Sequence, residues 1–582
     1  MLDTQVNRPA GSPAVWAQID WAQAETAVAA LRRRIFTASR RQDWTTVRNL
    51  QRLMLRSRAN VLVSVRRVTQ INQGRKTAGV DGLVIVDDEA RGLMAEWLIR
   101  HAAGLDPEPV KRVYIPKANG KRRPLGIPVI ADRAVQAMVV NALEPEWEAR
   151  FGPDVYGFRP GRGCHDAVAA IFARTRAGQA RQWVLDADLK AAFDRIDHDF
   201  LLDRLHGFPA REHVRGWLKA GVVEQGVLTP TEEGTPQGGV IGPLLLNIAL
   251  HGMEEAAGVE RTPVTWARHG DEVRPGSPVV VVYADDMVAL CHRPEQALAV
   301  KQRLAEWLAP RGLTFDEDKT RIVSLADGFD FLGFNIRRHP CGKTLIKPSR
   351  TAMERIRRRL RAEFRSLRGA TAATVIARLN PIIRGWAAYY RVGVSSRAFS
   401  VLDDYLWKLA WRWAVRRHPK KTGPWIKARY FGPFHPHRQA RWVFGDRDSG
   451  TYPACFSWTR IARHIKVQGR ASPDDPALGD YWRHRRRRGL ARLDDPLRTL
   501  LYRQQGRCRR CHEPLLYADR PPATPQEWTL WHQGIRTAWP RRAVVTADGH
   551  DPGYAELLHA HCLTRPPPTG QALPDWLALE PA

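Results

Sequence analysis

The stretch Val-Val-Val-Val-Tyr-Ala-Asp-Asp-Met-Val (279–288) sets two adjacent carboxylates, Asp285 and Asp286, behind an apolar run. Four consecutive valines read as a buried strand, and Ala-Asp-Asp as a tight turn into a second short strand. Adjacent carboxylates repel each other and hold on to protons unless a cation lies between them. A hairpin that displays both therefore points to a metal site. Taken alone, the pair also fits an Asp-Asp turn that merely caps a hairpin. A second segment argues against that simpler reading: Trp-Val-Leu-Asp-Ala-Asp-Leu-Lys-Ala-Ala-Phe-Asp (183–194) is another apolar strand ending in acids. Phosphoryl transfer to a 3′-hydroxyl needs two metals roughly 4 Å apart. Three carboxylates from two neighbouring strands can bridge such a pair.

Working outward, Val-Tyr-Ile-Pro-Lys-Ala-Asn-Gly-Lys-Arg-Arg-Pro-Leu-Gly-Ile-Pro (113–128) reads as a hairpin turning at Asn119-Gly120. That turn gathers Lys117, Lys121, Arg122 and Arg123, a set able to clamp a triphosphate. Any one of these cations also fits a solvated surface charge. Gly-Thr-Pro-Gln-Gly-Gly-Val-Ile-Gly-Pro-Leu-Leu-Leu-Asn (234–247) joins a glycine-rich loop to an apolar helix start, and lies between the two acid motifs. Glycines there permit close backbone approach to a base pair.

At 582 residues the chain is too long for one core and should divide into three to five domains. Hydrophobic residues at 44% and charged residues at 26% suit packed domains and exclude global disorder. Lys and Arg number 91 against 60 acids, a formal +31, which makes nucleic acid the leading partner; charge alone also fits a membrane surface or a ribosome. Residues 1–20 lack a signal pattern, and no run approaches the roughly twenty apolar residues of a membrane span, so a cytoplasmic protein without a membrane partner is expected. Seven cysteines, mostly isolated, argue against a disulfide framework. Residues 16–71 show helical periodicity among arginines, and 351–415 become helical, basic and aromatic. Residues 418–500, rich in Pro, His, Trp and Arg, suggest a small irregular DNA-contacting module.

The two acid segments resemble the palm of reverse transcriptases, and their flanking motifs resemble the group II intron branch, over roughly residues 16–415. That resemblance implies a multidomain α+β right-hand polymerase: fingers and palm with an antiparallel sheet, an α-helical thumb, a small DNA-binding domain, and a ββα-metal, HNH-like zinc module. The corresponding divisions are 1–82 for an N-terminal extension, 83–345 for fingers and palm, 346–415 for the thumb or maturase domain, 416–500 for DNA binding and 501–582 for the HNH-like part. It also implies roles. Asp188, Asp285 and Asp286 match the ligands of two Mg²⁺ ions, with Asp186 and Asp194 as bystanders. Phe193 matches the gate that rejects a ribonucleotide 2′-hydroxyl. Arg123, with Lys117 second, matches the triphosphate contact; Pro236, Gln237 and Gly238 match the loop against the incoming deoxynucleotide and template. Lys319, in Gly-Leu-Thr-Phe-Asp-Glu-Asp-Lys-Thr (312–320), matches a lysine that assists pyrophosphate departure, and equally fits a surface lysine. Tyr156-Gly157-Phe158-Arg159-Pro160-Gly161-Arg162 matches a template-side motif, with Arg159 and Arg162 as backbone contacts.

Intron membership rests on the surroundings. Lys76-Thr77-Ala78-Gly79-Val80-Asp81-Gly82 resembles the extension before the fingers of intron proteins, and Arg384-Gly385-Trp386-Ala387-Ala388-Tyr389-Tyr390-Arg391 resembles their maturase domain. Arg358, Arg384 and Arg391 are the RNA contacts expected there; the aromatics at i, i+3, i+4 spacing also suit a helix core, which is expected for one of them. The partners implied are a group II intron RNA, a DNA target and dNTPs; the sequence says nothing of oligomeric state. Cys508-x-x-Cys511 and His559-Ala-His561-Cys562 have knuckle spacing, giving a structural Zn²⁺ site of Cys508, Cys511, His559 and Cys562, with His561 as the alternative fourth ligand. The arrangement resembles an HNH endonuclease but departs from it: Trp531-His532, Tyr554 and Leu563 stand where a His-His pair, an Asn and a final His belong. His532 alone remains of the nuclease residues, which implies a degenerate DNA-binding remnant. Two other readings stay open, a splicing-only RNA-binding factor and a reverse transcriptase of the retron or CRISPR-associated kind.

Overall fold

The computed structural model describes residues 16–116, 122–176, 178, 181–235, 238–263, 271–435, 438–490, 504, 508 and 524–529. Residues 1–479 with 519–529 form one compact unit, and residues 480–518 with 530–582 another. Three capped helices open the first unit. In α1 (Trp21–Arg40), α2 (Trp44–Arg56) and α3 (Arg58–Arg66), the side chains of Asp20, Asp43 and Ser57 accept from the first-turn amides of Gln23, Thr46 and Asn60. All three pack on α4 (Ile130–Glu148), which is buried on almost every side. A helix enclosed in this way must satisfy its acids internally. Arg48 reaches Glu146 at 2.7 Å and Arg32 reaches Glu144 at 2.8 Å.

Strands β1 (Val110–Pro116) and β2 (Arg122–Ile127) form the basic hairpin foreseen in the sequence. After α5 (Cys164–Thr175) comes β3 (Trp183–Asp188). The short strands β4 (Val222–Glu224) and β5 (Val227–Thr229) then extend the first sheet, in the order β2-β1-β4-β5. A second sheet, β8-β3-β7-β6, adds β6 (Val279–Tyr283), β7 (Asp286–Cys291) and β8 (Arg321–Ser324) to β3, antiparallel throughout. Val279 to Val282 are buried because α5 and α6 (Pro294–Leu308) lie against this sheet. Beyond it, β9 (Phe329–Phe331), β10 (Phe334–Arg338) and β11 (Thr344–Pro348) make a third sheet.

The basic stretch that follows folds into α7 (Arg350–Ser366), α8 (Ala372–Tyr390) and α9 (Ser396–Arg417). Ala352, Ile356, Leu360 and Phe364 recur every fourth residue on α7 and are buried, which leaves its arginines to the outside. Trp386, Tyr389 and Tyr390 are all interior, where the sequence suggested only one. They pack on Phe334 and Phe399, and the Tyr389 hydroxyl donates to the Leu332 carbonyl at 2.7 Å.

Residues 452–478, within the stretch 416–500 where the sequence suggests a small DNA-contacting module, lie in the first unit, which runs to residue 479. This strap has little core of its own and is held by polar groups of other elements. Asn380 brackets Tyr452 and Ala454, Asp403 accepts from Phe456 and Ser457, and Asp166 accepts from the Val467 amide at 2.8 Å. It ends with Asp474 on Arg32 at 2.7 Å and Asp475 on Arg40 at 2.8 Å. No helix among the described residues is long and apolar enough to cross a membrane.

Candidate active site

Strand register builds the site. Asp188, the last residue of β3, pairs directly with Asp286, the first of β7, while Tyr283 pairs with Asp286 across the turn that carries Ala284 and Asp285. Ala284 adopts φ +59° there. The turn is supported from below by residues 154–157: the Tyr156 amide donates to Val282 O at 2.9 Å and the Val282 amide to Asp154 O at 3.0 Å. Gly157 lies so close that a Cβ on it would be 2.2 Å from the Ala284 nitrogen. The glycine of the Tyr156-Gly157-Phe158 motif thus admits the acid turn, a job the sequence did not disclose.

Burial and mutual repulsion keep Asp285 and Asp286 protonated to higher pH than usual. Asp286 is pushed up to about 7 by burial first, then by Asp285, Asp188 and Asp186. Asp285 is raised by burial and by Asp188, with Arg123 and Lys319 opposing. Charges held so close against repulsion fit a divalent cation, which would relieve both effects. At Asp188 an ammonium partly fulfils that demand: Lys319 Nζ donates to its carboxylate and to Asp316 at 2.8 Å. Its loop is tied to β3 by the Asp316 amide donating to Asp188 O at 2.8 Å. Among the described residues no three such ligands are drawn into a finished metal cage. The donor set, three carboxylates and no thiolate or imidazole, suits a hard cation such as magnesium. Asp186 lies two residues back on β3, pushed up to about 6 by burial and paired with Arg321 at 3.3 Å; Asp194 ends a short turn, Ala192–Asp194.

The other motifs converge on the same edge. Arg123 is exposed on β2 and acts electrostatically on Asp285. Phe193 is half-buried, edge-on to Phe158 at 6.1 Å, and its carbonyl accepts from the Thr235 amide at 2.5 Å. The far side of the glycine loop is held against β2. Gly238 has φ +125°, and a Cβ there would sit 2.7 Å from the Gly126 carbonyl oxygen. Lys117, Pro236 and Gln237 lie outside the described residues.

Arg159 and Arg162 are corrected. Both are buried, and neither is placed to meet a nucleic acid backbone. Arg159 forms a two-pronged pair with Glu148 at 2.8 and 3.0 Å, and Arg162 donates to the carbonyls of Pro153, Gly469 and Ala471. The Arg-Pro-Gly-Arg pattern carries no sign of burial, which only the packing of α4 and the strap creates. Arg358 is exposed on α7; Arg384 and Arg391 are half-buried, and burial with nearby Arg460 lowers the pKa of Arg391. Cys508 is buried, whereas Cys511, His532, His559, His561 and Cys562 lie outside the described residues.

A two-stranded carboxylate edge with a guanidinium acting on it, in a chain that goes on into an arginine-faced helical bundle, fits the palm of a nucleic acid polymerase. The comparisons with known proteins agree. Family profiles match at residues 16–98 (N-terminal domain of reverse transcriptase), 115–336 (reverse transcriptase, RNA-dependent DNA polymerase) and 353–431 (group II intron, maturase-specific domain). Protein YkfC of Escherichia coli K12 is 34% identical over 319 residues, covering 50% of this chain and 84% of that protein. The group II intron-encoded protein LtrA of Lactococcus lactis is 38% identical over 194 residues, 32% of this chain and 31% of LtrA. Maturase-like protein 1 of Euglena gracilis is 24% identical over 378 residues, 64% of this chain and 76% of that protein. The chain belongs to the reverse transcriptases of group II introns, RNA-directed DNA polymerases with a maturase segment.

Proposed function

We propose that the chain binds a group II intron RNA, promotes its splicing and its reverse splicing into a DNA target, and then copies it into DNA from a primer in that target. The observation that carries the reading is the register that sets Asp188 across from Asp286 with Asp285 in the adjoining turn. Asp188, Asp285 and Asp286 would hold two Mg²⁺ ions. Bound there, magnesium supplies Lewis acidity that lowers the pKa of a primer 3′-hydroxyl and offsets charge on the leaving pyrophosphate. Lys319 stays an ammonium at neutral pH, since its hydrogen bonds to Asp188 and Asp316 raise its pKa, and it serves the departing pyrophosphate as a cation or proton donor. Arg123, with Lys117, grips the triphosphate of the incoming dNTP. Phe193 excludes the 2′-hydroxyl, and Pro236, Gln237 and Gly238 shape the pocket for the new base pair.

The helices α7 to α9 act as the thumb. Exposure of Arg358 and partial exposure of Arg384 and Arg391 support a role in contacting RNA phosphates. Within the stretch 416–500, residues beyond 445 contact the DNA target. The C-terminal segment, with Zn²⁺ on Cys508, Cys511, His559 and Cys562 and with His532 left over, is a DNA-binding remnant of an HNH nuclease. Primer extension on an RNA template, with Asp285→Ala and Asp286→Ala as controls, tests the polymerase; unchanged synthesis in those variants refutes it. Nicking of a DNA target by protein with intron RNA, abolished by His532→Ala, would refute the remnant.

A further inference from the structure

Between Asp404 and Asp446 lie forty-one residues, 405–445, with ten Lys and Arg, five Trp and no Asp or Glu. They fold as most of α9, a helix at Gly423–Tyr430, and a strand pair of Phe431–Gly432 with Val443–Phe444. Large aromatics are normally driven inward, yet Trp442 keeps 48% of its surface exposed and Trp425 keeps 37%. Trp442 stands at 6.2 Å, edge-on, from Trp407, which is stacked on Trp411 at 5.7 Å. Phe431 lies beneath that stacked pair, buried. The Lys427 ammonium sits 4.1 Å from the centre of the Trp442 ring, and Lys421 lies 5.4 Å from Trp425.

Lys408 pairs with Asp404 and Arg429 with Asp448. Arg412, Arg416, Lys420, Lys427 and Arg441, by contrast, are exposed and have no ion pair among the described residues. An exposed indole with an unneutralised cation against it matches the two parts of an unpaired nucleotide. The ring offers a π-face to the base, and the ammonium meets the neighbouring phosphate. A duplex cannot use the ring in this way, because its bases are already stacked on one another.

We propose that Trp442, with Lys427 and the Trp407–Trp411 stack, forms a platform for unpaired bases of RNA, and that Trp425 with Lys421 offers a second. The choice of RNA rests on the reading of this chain as an intron-binding protein, since the matched maturase-specific segment, residues 353–431, includes Trp407, Trp411, Trp425 and Lys427. Binding of full-length protein to a fluorescent single-stranded oligouridylate, followed by anisotropy, tests it. Trp442→Leu should weaken binding by about tenfold and Trp442→Phe far less, while the same RNA annealed to its complement binds all three proteins alike. Lys427→Ala, which leaves the aromatic packing in place, should make the slope of log affinity against log salt shallower by about 0.7, and it decides the matter should Trp442→Leu fold poorly. Equal strand binding by Trp442→Leu and the parent, an equal loss on duplex, an unchanged salt slope in Lys427→Ala, or tighter binding of a DNA strand of matching sequence overturns the proposal. Failure of the polymerase reading is separable: an Asp285→Ala protein that still extends primers refutes that reading and leaves the strand-binding result standing.

Discussion

Asp188, Asp285 and Asp286 share one edge but have unlike surroundings, and this makes their removal informative. A lost metal ligand takes away several kcal/mol of charge stabilisation, so Asp188→Ala or Asp285→Ala should slow primer extension by about a thousandfold or more. Asp186→Asn, its partner Arg321 being exposed, should stay within about tenfold of the parent rate; a loss equal to that of Asp188→Ala would move the ligand set. Phe193→Ala should let ribonucleotides compete, read as a rise of about tenfold or more in their incorporation relative to deoxynucleotides. Arg159 behaves differently, since its substitution strands the buried Glu148 carboxylate. Arg159→Ala should cost about 3–5 kcal/mol of stability in a denaturant titration. A stable Arg159→Ala protein with weakened RNA binding would return Arg159 to the RNA contacts.

At the level of elements, the acid turn depends on a loop more than a hundred residues earlier in the chain. Residues 154–157 bond to β6 through Val282, and Gly157 leaves no room for a side chain beneath Ala284. Gly157→Val must therefore displace the turn. A shift of about 1 Å in catalytic groups can cost on the order of a hundredfold in rate. Primer extension should fall by about that much while circular dichroism stays unchanged, and a Gly157→Val enzyme of parental rate would show the turn to be supported elsewhere. The pattern 279–288 announced the hairpin, and the valine run its burial. Nothing in either stretch announced its support, because packing between segments distant in sequence leaves no periodic trace.

Across the first unit, the strap at 452–478 links helix bundle, palm and N-terminal helices through ion pairs and backbone bonds. Arg32 has only 14% of its side chain exposed and meets both Glu144 and Asp474. Arg32→Ala takes the shared guanidinium away from two nearly buried carboxylates and should destabilise the unit by about 3–5 kcal/mol; a melting curve coincident with the parent's would show that the strap contributes no stability there.

The sequence by itself determined the two acid strands, the basic hairpin, the glycine loop, the arginine-faced bundle and the attraction to nucleic acid, since each is written in local periodicity, turn chemistry or net charge. Only the tertiary structure decided that Arg159 and Arg162 are interior, that Trp386, Tyr389 and Tyr390 are all core, and that the Pro- and Trp-rich segment continues the polymerase body as far as residue 479. The physical reason is common to all three. A charge or an aromatic ring is equally at home on a surface or in a partnered interior, and which it occupies depends on groups such as Glu148 on α4 and Phe334 on β10 that local sequence does not reveal.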